Sequence, residues 1–250
     1  MEFSNINVLG VTLNNHTKYE TLEIINCFLA SDTPNTVFTP NAEIIYKASK
    51  DTEYKNILNS ASLLIPDGIG VNISMKILGV KSPERTTGID IAEEMLEYAS
   101  QNNLRIFLLG GKPGIAQKAK ERLAAKYKNL SICGTNHGYF DKEFDSSDNK
   151  DIINRINSSG ADIVFVCLGA PMQEIWISQN IGLFSNVRLL MGLGGSLDVW
   201  SENIPRAPKI LRRLCLEWLF RAIRQPKRFK RIPVLFKFIF AVIRQARKKE

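Results

Sequence analysis

The chain has 250 residues, a formal net charge of +8, and 44% hydrophobic and 23% charged residues. This length suits one large α/β domain with an appendage, or two small domains, and the composition is that of a globular protein. The four cysteines are widely spaced, and three of them have apolar strand-like or helix-like surroundings, which predicts buried free thiols in a reducing compartment. With only two histidines and no cysteine or histidine cluster, a metal site is not expected.

Positive charge is concentrated at the end of the chain. Residues 201–250 hold 15 Lys and Arg against 3 Asp and Glu, a net charge of +12, whereas residues 1–200 carry a net charge of −4. This distribution predicts a mildly acidic body over 1–204 and a cationic module over 205–250.

Short apolar strands alternate with helices along the body. Strands are predicted near 5–9, 35–39, 62–65, 105–109, 130–134, 162–168 and 187–191. Helices are predicted to start near residues 17, 41 and 51 and to cover 88–102 and 148–159. Two more are predicted, one that ends near residue 128 and one that passes through Trp176. This alternation indicates an α/β fold with a Rossmann-like, mostly parallel sheet and helices on both faces.

The cationic module is predicted to be helical without strands. Two amphipathic helices are expected, one from about residue 208 and one over 232–249. The longest apolar stretch, Val234 to Ile243, is interrupted by Lys237 and is too short to span a bilayer. A basic helical appendage is therefore expected.

The turn Pro66-Asp67-Gly68 ends a short apolar strand predicted over 62–65. In an open α/β sheet such a turn lies at the carboxyl edge of the strands, where ligands bind. A carboxylate held there can act as a general base, so Asp67 is a candidate catalytic residue. The alternative is an ordinary turn aspartate, because Pro-Asp-Gly is also a favoured turn sequence.

Three glycine-bearing turns follow predicted strands and predict a shared ligand crevice. They contain Gly110-Gly111, Gly169 and Gly194-Gly195, and glycine lets backbone amides approach a phosphate closely. An NAD site is not expected, because Cys133-Gly134-Thr135-Asn136 stands where an acidic residue would hold the ribose. The alternative for each turn is a tight connection between strand and helix.

Arg85 lies in the segment Ser82 to Gly88, between two predicted helices. A guanidinium there could bind a diphosphate through paired donors. Without the other motifs, a solvated loop arginine is the preferred interpretation.

Seven motifs occur in the following order: Thr39-Pro40-Asn41-Ala42-Glu43, Pro66-Asp67-Gly68, Glu84-Arg85-x-x-Gly88, Leu108-Leu109-Gly110-Gly111, His137-Gly138-Tyr139-Phe140, Leu168-Gly169-Ala170-Pro171-x-Gln173-Glu174 and Gly194-Gly195-x-x-Asp198. Together they resemble the bacterial WecG/TagA/CpsF glycosyltransferases, which include the teichoic-acid linkage-unit N-acetylmannosaminyltransferases. The resemblance covers nearly the whole chain, tail included.

The resemblance implies an inverting, metal-independent transferase without a cofactor. It would move a sugar from a UDP donor to a saccharide on a polyprenyl-diphosphate lipid, with N-acetylmannosamine the expected sugar and its uronic acid or a capsular hexose the alternatives. Asp67 matches the family's proposed base. Arg85 is the first candidate to neutralise the departing UDP, and Arg221, Arg228 and Arg231 of the tail are the second.

The resemblance also implies roles for the strand-end turns and for the tail. Thr39 and Asn41 would hold the acceptor or the donor sugar, and Gln173 is also expected to bind substrate. The residues expected on the nucleotide side are Gly110, Gly111, Tyr139, Gly169, Gln173, Gly195 and Asp198. The tail would dock on the anionic inner leaflet and close over the site, which predicts a cytoplasmic, peripherally membrane-associated enzyme that can self-associate.

Two alternatives from other classes remain open at this point. A nucleic-acid-binding protein could use the basic tail, although its apolar runs suit lipid better than a duplex. A nucleotide-sugar-binding protein without catalysis would share the turns but would not need Asp67 as a base.

Overall fold

The computed structural model describes residues 5–81, 87–208, 210–211, 216–224, 229 and 232–248. These residues form two compact units. The first unit takes its residues from Met1–Lys18, Thr39–Thr87 and Pro205–Glu250, and the second from Tyr19–Phe38 and Gly88–Ile204. The chain therefore enters the first unit again at residue 205.

The strands of the described residues are, in chain order, β1 (Asn5–Val8), β2 (Val11–Asn14), β3 (Asn35–Phe38), β4 (Leu63–Leu64), β5 (Arg105–Gly110), β6 (Ser131–Asn136), β7 (Ile163–Cys167) and β8 (Leu189–Gly192). The α-helices are α1 (Lys18–Leu29), α2 (Ala42–Ala48), α3 (Thr52–Asn59), α4 (Ile69–Ile77), α5 (Gly88–Gln101), α6 (Ile115–Lys126), α7 (Ser147–Ser159), α8 (Met172–Asn180), α9 (Ser196–Trp200), α10 (Glu217–Arg224) and α11 (Ile232–Arg247). A 3-10 helix covers Ile181–Leu183.

A parallel sheet forms the centre of the second unit. Its strands β3, β8, β7, β5 and β6 lie side by side in that order. Every residue of β7 is buried, as a strand covered by helices on both faces requires. Helix α5 contributes one apolar face, with Ile89, Ile91, Ala92, Met95, Leu96 and Ala99 buried. The predicted α/β fold with a parallel sheet flanked by helices is confirmed.

The order of the strands creates a switch point between β5 and β7. The chain leaves β5 through α6 to β6 on one side, and then passes through α7 to β7 on the opposite side of β5. In an open α/β sheet, strands that diverge in this way border the crevice in which ligands bind. The candidate crevice of the second unit therefore lies at Gly110 and at the residues after Cys167.

The first unit begins with a β-hairpin of which the sequence predicts only one strand, over 5–9. Strands β1 and β2 pair antiparallel, with Val8 opposite Val11, around a turn of two residues. Both turn residues have positive φ, 53° for Leu9 and 90° for Gly10, as a two-residue hairpin turn requires. A leucine rarely occupies this conformation, so the sequence gives a weak turn signal here.

Helix α11 is part of the core of the first unit. Phe238 and Val242 are fully buried on it, and the helix packs against α2 and α4. Near its end, Oε1 of Gln245 accepts a hydrogen bond of 2.8 Å from the Leu9 N–H. Nε2 of Gln245 donates a bond of 2.9 Å to the carbonyl oxygen of Asn7. The described tail is helical, as predicted, and its last helix is anchored to the hairpin.

Candidate active site

The turn that contains Asp67 is hydrogen-bonded to the segment that contains Asn41. The Asp67 N–H donates to the carbonyl oxygen of Pro40 at 3.2 Å. Just before the turn, the Leu64 N–H donates to Oδ1 of Asn14 at 2.7 Å. The Asp67 side chain is half-buried. These two hydrogen bonds fix the position of the backbone segment that carries Asp67, the candidate base.

Gly68 gives this turn its conformation. Its φ of 84° and ψ of 159° are a combination that residues with a Cβ rarely adopt. A Cβ at this position would meet no atom within 4 Å, so the backbone conformation, not lack of space, requires glycine. Helix α4 begins at the next residue and has no side-chain cap. Asp67 therefore lies beside a helix N-terminus, which favours negative charge.

Asn41 is the N-cap of α2, which begins where the sequence predicts the start of a helix. Its Oδ1 accepts hydrogen bonds from the N–H of Glu43 at 3.0 Å and of Ile44 at 3.1 Å. The oxygen therefore caps the helix, and the Nδ2 protons are the part of the amide that could bind a ligand. Thr39, two residues earlier in the same segment, is half-buried.

None of the arginine side chains predicted to contact the diphosphate is among the described ones. Arg85, Arg228 and Arg231 lie outside the described residues. Arg221 lies in α10, but its side chain is not among those described. Their roles stay predictions.

The three glycine-bearing turns follow adjacent strands of the second unit. Strand β7 pairs with β5 on one side and with β8 on the other, with Gly110 opposite Cys167 and Val166 opposite Gly192. Because these strands are parallel, their turns leave the sheet at one edge and at nearly the same level. A Cβ on Gly110 would clash with the carbonyl oxygen of Cys167, so this close approach needs glycine.

A fourth turn, after β6, reaches the same edge. The Gly138 N–H donates to the carbonyl oxygen of Gly111 at 2.8 Å, and a Cβ on Gly138 would lie only 2.9 Å from Cδ2 of Leu168. The next residue, Tyr139, is 65% exposed, and its N–H donates to Nδ1 of His137 at 3.2 Å. An exposed ring on a held backbone can stack on a nucleobase. The sequence prediction gave Gly138 no role, because its contacts arise only in the folded unit.

Gln173 links two of these turns from inside the protein. Only 3% of its surface is exposed. Its Oε1 accepts a hydrogen bond of 2.9 Å from the Gly194 N–H, and its Nε2 donates one of 2.8 Å to Oε1 of Glu174. Both ends of the amide are therefore bonded within the protein. The predicted contact of Gln173 with substrate stays a prediction.

The other residues predicted on the nucleotide side lie at the starts of α8 and α9. Gly169 precedes α8 with a φ of 79°. Gly195 and Asp198 are half-buried, and Oδ1 of Asp198 accepts a hydrogen bond of 3.2 Å from Nδ2 of Asn203. The structure thus places Gly110 at the carboxyl end of β5, and it places Gly111, Tyr139, Gly169, Gly195 and Asp198 after the carboxyl ends of strands of the second unit.

Cys167 ends β7 beneath these turns and is buried. Among the described cysteines, Cys27 is exposed and Cys133 is half-buried, so the prediction of buried thiols is correct for Cys167 but wrong for Cys27. Burial raises the pKa of the Cys167 thiol to about 12, against the opposing effect of the backbone amides of Leu197 and Ser196. A thiol with this pKa stays protonated near neutral pH and is a poor nucleophile.

In the part of the chain that the structure describes, no three His, Cys, Asp or Glu side chains are grouped closely enough to hold a metal ion. Over the same residues, every helix is too short or too polar to cross a membrane.

Comparisons with known proteins agree with the ordered motifs of the sequence. The sequence model of the glycosyl transferase WecG/TagA/CpsF family matches residues 6–250. Curated relatives from Staphylococcus aureus strains MRSA252 and NCTC 8325 / PS 47 are each 33% identical over 247 residues, which is 98% of this chain and 94% of theirs. Both are named N-acetylglucosaminyldiphosphoundecaprenol N-acetyl-beta-D-mannosaminyltransferase. The chain therefore belongs to the WecG/TagA/CpsF family and is a glycosyltransferase.

Proposed function

We propose that the chain transfers N-acetylmannosamine from UDP-N-acetylmannosamine to N-acetylglucosamine-diphospho-undecaprenol. The product would carry a β-1,4 link and would serve wall teichoic acid or a related cell-surface polymer. The observation that carries this proposal is the 33% identity, over 98% of the chain, to relatives with that mannosaminyltransferase name. Because the matched length includes both compact units, the likeness is not confined to one of them.

Asp67 is the proposed general base of a single displacement. The acceptor hydroxyl oxygen attacks the anomeric carbon, its proton passes to the Asp67 carboxylate, and the bond from that carbon to the diphosphate breaks. One displacement inverts the anomeric configuration. The held turn at Gly68 and the Pro40 hydrogen bond support this role, because a base must keep a fixed position relative to the proton that it removes.

The departing UDP gains negative charge, which the proposed mechanism neutralises without a metal ion. Arg85 is the first candidate, and Arg221, Arg228 and Arg231 of the tail are the second. Guanidinium groups suit this task because they stay charged and bind phosphate oxygens through paired donors.

The turns at the switch point of the second unit are the proposed nucleotide site. Gly110, Gly111 and Gly169 would bring backbone amides to the diphosphate, and Tyr139 would stack on the base. Gly195 and Asp198 would border the same nucleotide. Thr39 and Asn41 of the first unit are proposed to bind sugar hydroxyls, Asn41 through Nδ2.

Helix α11 is proposed to dock the enzyme on the membrane that holds the lipid acceptor. Phe236 and Phe240 are 72% and 64% exposed and lie one helical turn apart, with exposed Lys237 beside them and exposed Arg244 one turn further on. Exposed aromatic rings next to cations suit an anionic inner leaflet, where each basic residue contributes about 1 kcal/mol. This arrangement supports peripheral attachment at the cytoplasmic face, and it favours a membrane over nucleic acid as the partner of the tail.

A donor panel tests the proposal. The full-length chain would be assayed with UDP-N-acetylmannosamine, its uronic acid form and UDP-hexoses against a short-chain lipid-diphosphate-N-acetylglucosamine acceptor. Product from UDP-N-acetylmannosamine alone, or at a rate at least about tenfold above the other donors, is expected; tenfold corresponds to about 1.4 kcal/mol of discrimination. Faster transfer from another donor would replace the proposed sugar, and binding of UDP without any product would favour a binding protein.

A further inference from the structure

We infer that Gln173 is a positioning residue, which holds the turn after β8 in the conformation that receives the nucleotide part of the donor. The amide itself need not contact the donor. This inference rests on the proposed function, because it takes that turn as part of the UDP site.

The hydrogen bonds of Gln173 define the orientation of its amide. The Gly194 N–H can only donate, so it must face the side-chain oxygen, and it does so at 2.9 Å. The nitrogen then points to Oε1 of Glu174 at 2.8 Å. Glu174 is itself 1% exposed, so this second bond is also shielded from water. A residue with only an acceptor or only a donor could not make both bonds.

The space around Gln173 depends on a second glycine. A Cβ on Gly192 would lie 3.1 Å from Nε2 of Gln173 and 3.4 Å from Cδ1 of Phe38. The amide therefore fills the space that the missing Cβ leaves beside the end of β8. This packing holds Gln173 in place, so its hydrogen bond to Gly194 acts on the turn rather than on a mobile side chain.

The turn needs such a support because a glycine residue does little by itself to restrict the backbone conformation. Gly194 has a φ of 54°, and glycine adopts positive and negative φ about equally readily. A ligand that binds an unheld turn must first order it, which weakens binding. The hydrogen bond from Gly194 to Gln173 orders the turn in advance. Its loss should therefore weaken the binding of UDP and of the UDP-sugar by the same factor.

The test uses the full-length chain with Gln173→Leu, which keeps the approximate size but removes both hydrogen bonds. The donor KM and the UDP dissociation constant should both rise about tenfold, the effect of one to two lost hydrogen bonds, with acceptor KM and kcat nearly unchanged. Exchange of the Gly194 amide hydrogen should become faster. Gln179→Leu, at an exposed position of the same helix, should change none of these quantities.

A second variant, Gly192→Ala, displaces the amide by crowding Nε2 and should raise both constants in the same ratio. It keeps the test decisive if Gln173→Leu does not fold. A rise in donor KM with unchanged UDP affinity would overturn the inference in favour of direct contact with the sugar. A fall in melting temperature with unchanged constants would also overturn it. If the native chain did not bind UDP, the proposed function would fail, and Gly194 amide exchange would still decide whether Gln173 holds the turn.

Discussion

The Asp67 N–H donates a hydrogen bond of 3.2 Å to the carbonyl oxygen of Pro40, and this bond joins the turn of the candidate base to the segment of Asn41. Asp67 and Pro40 are 27 positions apart in the chain. Each of the joined segments leads directly into a helix, α2 from Asn41 and α4 from Gly68. The candidate base and the candidate sugar-binding amide are therefore held on one backbone framework.

Replacing the carboxylate of Asp67 separates catalysis from binding. Asp67→Asn should lower kcat by a factor of about 10² to 10⁴, because the amide cannot accept the acceptor's proton. UDP affinity should stay unchanged, as measured by calorimetry. Asp32→Asn, at an exposed position, is the control and should have native kcat. Equal turnover of the two variants would remove Asp67 from the mechanism.

Asn41 caps helix α2 and is also a candidate sugar-binding residue. Two substitutions separate these two roles. Asn41→Ala should lower the free energy of unfolding by about 1 kcal/mol in urea titrations, because the hydrogen bonds to Glu43 and Ile44 are lost. Asn41→Asp keeps the capping oxygen and should keep that stability, but it loses the Nδ2 donors. If its donor and acceptor KM values remain native, Asn41 is a cap only.

The outward face of α11 should control vesicle binding. Phe236→Ala and Phe240→Ala should each weaken binding to anionic vesicles about tenfold or more, since burying a phenylalanine in an apolar phase contributes about 1.5–3 kcal/mol. Tyr19→Ala, at a 70% exposed position of α1, is the matched control and should not change binding in sedimentation assays.

A substitution on the inward face of α11 should change the stability of the protein. Phe238→Ala should instead lower the free energy of unfolding by about 3–5 kcal/mol, because Phe238 is fully buried. Unchanged vesicle binding by both outward variants would contradict the docking proposal.

Cys167 should be inert in the folded protein. Because its pKa is raised from 9.0 to about 12, iodoacetamide at pH 8 should label exposed Cys27 and leave Cys167 unmodified until the chain is unfolded. Mass spectrometry of the peptides distinguishes the two sites. Fast labelling of Cys167 in the native chain would contradict its burial.

The same pKa shift has a consequence at high pH. Between about pH 9 and 12 the unfolded state loses the Cys167 proton more readily than the folded state does. The stability that this thiol contributes is therefore present below pH 9 and is lost as the pH rises towards 12. Stability should fall less steeply over this interval in Cys167→Ala than in the native chain.

Much of the fold can be predicted from the sequence, because its signals are local. The apolar run of β7 and the turn at Asp67 are visible as continuous patterns, and the capping role of Asn41 follows from its place before a helix. The hairpin turn at Leu9 is less visible, since its conformation depends on strand pairing and not on a typical turn residue.

The site can be predicted only in part, because burial is set by tertiary contacts. The sequence predicts that the amide of Gln173 binds a ligand. In the folded unit, however, both ends of this amide form hydrogen bonds within the protein, to Gly194 and to Glu174. The packing of α11 on α2 and α4 is likewise invisible in a tail whose composition shows mainly charge.

The proposed mechanism is metal-independent transfer with Asp67 as the general base. Its most direct test is formation of N-acetylmannosaminyl-β-1,4-N-acetylglucosaminyl lipid from UDP-N-acetylmannosamine in the presence of EDTA, by the native chain and by Asp67→Asn. The native chain should form this product at its full rate, and the variant should form almost none. Loss of native activity in EDTA, or equal product from the two proteins, would rule out this mechanism.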